Sequence, residues 1–160
     1  MELDSEITFG EEYEELREKY SLPEFDKLAE DFDIEKVSEK ESTFILREIR
    51  RMIHEKLSAY LSLFEMLVNP SAPPMFMFGV IKKMNGDHKE LIKKVYENLV
   101  KLQISIMKLD TVYSEKSEAE FIIRSFSEWQ DMKVKIHDLI DSFEQNVEKN
   151  DSLKKTSYFG

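Results

Sequence analysis

The chain has 160 residues, 41% of them hydrophobic and 35% charged, with a net charge of −10 and no cysteine. That length suits one domain, and the apolar fraction supports a buried core and argues against wholesale disorder. The missing cysteines exclude a disulfide framework, a thiolate metal site and a cysteine nucleophile together.

Residues 1–10 read as a lead, and Glu11 to Lys19 as a short helix whose only apolar pair is Tyr13 and Leu16. Ser21 and Glu24, with Pro23 between them, predict the start of a second short helix carrying Phe25, Leu28, Ala29 and Phe32. Ser38 with Glu41 is another capping box, opening a long helix over 39–68 with the stripe Ile45, Ile49, Met52, Ile53, Leu57, Tyr60, Phe64, Leu67. Its last turns are apolar nearly all round, which predicts burial on several sides. Pro70, Pro73 and Pro74 end it, because each proline moves its predecessor out of the helical region. A short apolar helix over 75–84 follows, stopped by Asn85 and Gly86. Asp87 with Glu90 predicts the cap of a helix over 88–113, and Ser117 with Glu120 the cap of a last helix over 118–148.

Two seams unite these helices. Ile92, Val95, Leu99, Leu102, Ile106, Leu109 and Tyr113 alternate at three and four residues, the spacing of one helical stripe. A second run reads Ala119, Ile122, Phe126, Trp129, Lys133, Ile136, Ile140, Phe143, Val147. The expected fold is all-α: an up-and-down bundle of three long helices, with short N-terminal helices on a fourth side. Residues 1–149 form one domain in this reading, and 150–160 a flexible C-terminal tail.

Charge is unevenly spread. Residues 1–42 carry 16 acidic and 5 basic side chains, 43–113 carry 7 and 11, and 114–160 carry 10 and 7. This predicts that the acidic N-terminal block folds onto the chain's own basic middle, with Arg47, Arg50 and Arg51 as its contacts. The net charge of −10 argues against nucleic-acid binding through the basic middle. The longest apolar stretch, Met75 to Ile81, is too short to span a bilayer and no signal-peptide pattern opens the chain, so a soluble cytoplasmic protein is expected. Lysine and glutamate enrichment with few amides points in the compositional direction of thermophile proteins.

Catalytic signatures are scarce. Four glycines build no phosphate-cradling loop, and none of His54, His88 and His137 follows a glutamate by three, so carboxylate-bridged di-iron chemistry is absent. His137 and Asp141 stand four apart with Glu144 and Glu148 beyond, which reads as a solvated acidic face and not a metal site. No cofactor, metal or small-molecule substrate is expected.

Arg47, Arg50 and Arg51 gather three of the five arginines in one stretch of helix, followed by His54. Arg47 and His54 enclose six residues, and this spacing resembles the Arg-x(4–6)-His signature of the HEPN family of helical-bundle domains. The resemblance implies a metal-independent ribonuclease or a toxin–antitoxin-type partner, with Arg47 and His54 serving attack on an RNA 2′-hydroxyl. Glu48 stands where the family usually has Asn or Asp, and the motif lies earlier in the chain than in the family.

Three further features suggest contact surfaces. Met75, Phe76, Met77 and Phe78 form either a partner-docking surface or the plug of a bundle end. Tyr60 and Trp129 are large amphipathic side chains suited to an interface. The terminal Tyr158 and Phe159 resemble the aromatic pair of sliding-clamp-binding peptides, with Lys155 where those peptides carry an aliphatic residue. The expected role is therefore non-enzymatic: an assembly or adaptor protein that binds a protein partner, with a second copy of itself as one candidate.

Overall fold

The computed structural model describes residues 8–39 and 43–157, with side chains over 8–38 and 43–149. The described residues form six α-helices and no strand: α1 (Phe9–Tyr20), α2 (Phe25–Phe32), α3 (Ile45–Val68), α4 (Met75–Lys83), α5 (Gly86–Leu109) and α6 (Glu115–Ser157), with a 3-10 turn at Ile34–Glu39. The protein is all-α. The three long helices are not of similar length, because α6 runs for 43 residues and is helical through 150–157, where a tail was expected.

Three helices start earlier than the sequence reading placed them, and one later. Asn85, not Asp87, caps α5: its Oδ1 accepts from the His88 N–H at 2.9 Å, and His88 Nδ1 accepts from the Asn85 N–H at 3.3 Å. Ser114, not Ser117, opens α6, its Oγ accepting from the Ser117 N–H. Thr8 and Glu11 form the capping box of α1, which therefore starts before Glu11. At α5 and α6 two capping signals lie close together, and the upstream one wins because it adds helical hydrogen bonds. Ser21 does the reverse of what was expected. It ends α1 in the left-handed region at φ 58°, while the Leu22 N–H returns to the Arg17 carbonyl. The 39–44 stretch is also not the start of α3, which begins at Ile45; Ser38 closes the 3-10 turn by donating to the Glu35 carbonyl, and Glu41 lies outside the described residues.

The chain divides into two compact units. The first comprises Met1–Ser58 and Lys101–Glu128. Its core holds Ile49 and Ile53 of α3, Leu102, Ile106 and Leu109 of α5, and Ile122 of α6. Tyr13, Leu22, Leu28, Phe32, Ile34 and Val37 are buried too, the last two supplied by the 3-10 turn. Each such side chain contributes roughly 1.5–3 kcal/mol of burial. Apolar packing therefore seats much of the acidic N-terminal segment, and of the basic middle it is Lys56, donating to the Asp31 carbonyl, and not the three expected arginines, that reaches it. Among the described residues no acidic side chain of 8–38 pairs with Arg47, Arg50 or Arg51.

The second unit comprises Ala59–Val100 and Trp129–Gly160. Phe64 and Leu67 of α3, Met77 and Val80 of α4, Ile92, Val95 and Leu99 of α5, and Trp129, Met132, Ile136 and Leu139 of α6 are its buried apolar side chains. The expected α6 seam slips by one residue here. Met132 and Leu139 take the inward positions assigned to Lys133 and Ile140, and Ile140 and Val147 stand exposed. The end of α3 is not buried on several sides either: Ala59 and Val68 are exposed and Leu61, Leu63 and Met66 are half-buried.

Helix α4 is short and weakly capped. Its N-cap is Pro74, which makes no side-chain cap bond, and a Cβ added at Gly79 would meet nothing within 4 Å. Met77 and Val80 anchor it from the inside. Lys83 Nζ ties its end to α6 by donating to the Asn146 carbonyl at 2.7 Å.

Candidate functional site

The arginine cluster of α3 is the charged centre of the first unit. Helical spacing turns Arg47 and Arg50 to one side, where Glu118 in the first turn of α6 awaits them. Glu118 is fully buried and Arg50 is 2% exposed. Arg50 Nε donates to Glu118 Oε2 at 2.8 Å, Nη2 to Oε1 at 3.3 Å, and Nη1 pairs with Asp110 at 2.8 Å. Burial alone would lower the Arg50 pKa, but the bonds and charges of Glu118 and Asp110 outweigh it and raise it. Glu118 gains further from its place at a helix N-terminus.

Arg47 lies beside this pair without joining it. Its Nε is 3.8 Å from Glu118 Oε1, too far for a hydrogen bond, and is buried without a hydrogen-bond partner. Its guanidinium stacks instead over the Tyr113 ring at 4.7 Å and the Phe44 ring at 5.7 Å. Arg51, more exposed, pairs with Glu48 at 2.7 Å. Arg50 and Arg51 are thus committed to carboxylates, which leaves them poorly placed to take a phosphate.

His54 turns to a different partner. Its Nε2 lies 3.1 Å from Gln103 Oε1, which also accepts from Ser58 Oγ at 3.5 Å. An acceptor opposite Nε2 places the proton of the neutral ring there. Among the described residues Arg47 and His54 share no partner: one serves the Tyr113–Glu118 side, the other Gln103. An open groove of about 590 Å³ lies at the α5–α6 turn, lined in part by Ser105, Lys108, Phe121 and Arg124. Its Arg124 donates to Ser105 Oγ at 2.6 Å.

A second histidine sits beside a serine, a pairing the sequence does not announce. Ser142 Oγ is 3.3 Å from His88 Nε2. Since His88 Nδ1 accepts from the Asn85 N–H, Nε2 carries the proton and donates to Ser142, whose own hydroxyl donates to the Leu139 carbonyl. A serine nucleophile needs the opposite polarity, with a bare ring nitrogen receiving its proton. The pair is a helix-cap support. His137, 3.3 Å from Asp141, stays on an exposed face, and no metal-binding group of His, Asp and Glu occurs among the described residues.

The apolar contact candidates separate by burial. Trp129 is 3% exposed and packs against Tyr60 at 5.2 Å between ring centroids, so it belongs to the core and not to the surface. Tyr60 is half-buried. Tyr158 and Phe159 lie outside the described residues. The Met75–Phe78 run is split by burial: Met77 is 5% exposed and plugs the interior, while Met75, Phe76 and Phe78 are 87, 75 and 52% exposed. Beside them an apolar groove of about 400 Å³ is lined by Leu67, Val68, Ile81, Met84 and Ile92, with Lys89 and Lys93 at its edge. No helix among the described residues is long and apolar enough to cross a membrane.

No family model, no curated protein and no solved structure matches this chain.

Proposed function

We propose that this chain is a non-enzymatic assembly or adaptor protein of the cytoplasm, which binds a protein partner through the exposed start of α4. One observation carries the reading. Met75, Phe76 and Phe78, three large apolar side chains within four residues, stand in solvent on a helix that has Met77 and Val80 available to bury. Contiguous exposed apolar side chains of this size mark interaction sites, and methionine adapts to irregular partners. The dispersal of Arg47 and His54 onto separate partners, and the protonated Nε2 of His88 facing Ser142, weigh on the same side.

The test is site-specific photo-crosslinking in the cell of origin. A photo-reactive residue at Phe76 should trap a protein adduct of defined mass, whereas the same residue at exposed Lys101 should not. Equal yields at the two positions would defeat the reading. Metal-free cleavage of RNA that is lost in His54→Ala, with helicity intact, would replace it with a nuclease.

A further inference from the structure

The exposed face of α4 is apolar at its start and basic at its end. Met75, Gly79 and Lys82 follow one another along one side, with Phe76, Phe78 and Lys83 flanking them at helical spacing. From Met75 to Lys94 five lysines stand against only Asp87 and Glu90, on a chain whose net charge is −10. Glu90 is already paired with Lys94 at 2.8 Å. Lys82 and Lys89 have no ion-pair partner among the described residues.

The same unit carries a surface of the opposite sign. On α6, Ile140 and Val147 are 44 and 49% exposed and lie two turns apart on one side. Asp141, Glu144 and Glu148 border them, and neither Glu144 nor Glu148 has an ion-pair partner among the described residues. The two surfaces adjoin, since Lys83 Nζ reaches the carbonyl of Asn146, next to Val147.

From this juxtaposition we infer that the α4 face is covered by a second copy of this chain. The basic, apolar α4 face of each copy, with Lys89 of α5 across the groove from Ile81 and Met84, meets the acidic, apolar α6 shoulder of the other. Each copy brings five large apolar side chains, Met75, Phe76, Phe78, Ile140 and Val147. Adjoining patches of opposite sign satisfy a two-fold axis, because each meets its complement twice, and the assembly closes as a dimer and does not grow into a filament. Apolar burial supplies the affinity, and the charges fix partner and register. The inference rests on reading α4 as a docking surface and names what docks.

The experiment is a charge swap followed by sedimentation equilibrium on the purified full chain. Wild type should be dimeric at about 100 µM and should weaken several-fold, without falling wholly to monomer, as salt rises toward about 1 M, where charges are screened beyond roughly 3 Å. K82E/K89E and E144K/E148K should each weaken the dimer by about tenfold or more, with helicity unchanged. Mixed in equal amounts, the two swapped proteins should form a heterodimer, since every contact then joins opposite charges again. Should either swap disturb folding, K82Q/K89Q and E144Q/E148Q must each weaken association in its place. A wild type that stays monomeric overturns the inference, as does a dimer indifferent to all four variants or a mixture that fails to associate. If the chain is monomeric while the probe at Phe76 traps another protein in cells, the docking surface stands and the second copy is wrong.

Discussion

The two units break the ordinary rule of burial in opposite ways. The first takes charge inside: Arg50 and Glu118 are buried, where charged groups are seldom found unless paired. The second leaves apolar mass outside, with Met75, Phe76 and Phe78 in water. The first departure is compensated on the spot, because the Arg50 fork meets Glu118 with two hydrogen bonds and Asp110 with a third contact. The second has nothing within its own unit to offset it. A departure that the fold resolves is architecture. One that it leaves open marks where binding energy is available.

The largest effect should come from breaking the compensated pair. Glu118→Ala leaves the Arg50 guanidinium buried without its main counter-ion, and urea melts should register a loss of about 3–5 kcal/mol. Replacing both partners, Arg50→Met with Glu118→Leu, should recover most of it, as a well-packed apolar pair removes the cost of burying charge. If the double variant is no better than Glu118→Ala, the pair does more than satisfy itself.

Next come the apolar cores. Ile106→Ala and Leu28→Ala should each lose roughly 2–5 kcal/mol in the same melts. Phe76→Ser with Phe78→Ser should stay within about 0.5 kcal/mol at a concentration where the chain is monomeric. That contrast sharpens the comparison, since it shows large apolar residues that the fold does not use. A large loss at Phe76 would return α4 to the role of a plug.

A third effect depends on pH. The Tyr13 hydroxyl donates to the Pro23 carbonyl at 2.6 Å, and burial, with Glu14 beside it, raises the phenol above its ordinary value of 10.0. The folded state therefore keeps this proton at a pH where the unfolded chain gives it up. Its contribution is whole below about pH 10 and drains away as pH rises further. Tyr13→Phe should cost about 0.5–1.5 kcal/mol at neutral pH and flatten the alkaline loss. An unchanged alkaline slope would mean that other groups drive it.

Much of the fold was legible because helix periodicity is a strong signal. Every seam residue of α5 from Ile92 to Leu109 is buried as its spacing requires. The α6 seam was legible only in part. Two parallel stripes run beside one another there, and choosing Lys133 over Met132 shifted the reading toward the exposed Ile140 and Val147. Helix ends were blurred where polar residues crowd, as at Asn85 and Asp87 or Ser114 and Ser117. The buried arginine was visible as a cluster, but its counter-ions lie just after α5 and in α6, 60 and 68 residues along the chain from Arg50, and no local pattern ties them to it. For Met75 to Phe78 the sequence offered both an exposed surface and a buried plug and could not say which residue took which place. Composition alone assigns such residues to an interior, and only packing shows which of them the interior declined.

Helix α4 has a consequence of its own. Nine residues are too few for a helix to persist alone in water, and Gly79 at its middle weakens it by about 0.5–1 kcal/mol relative to alanine. Its order rests on Met77 and Val80 keeping their seats, so local opening of this one segment should run ahead of the rest of its unit in hydrogen exchange. Whatever docks on its outer face must first find it folded, and so affinity there is set partly by how readily Gly79 lets the helix open. Gly79→Ala adds a methyl group into open space, yet it should tighten binding by about two- to fivefold simply by raising the fraction of time the helix is formed.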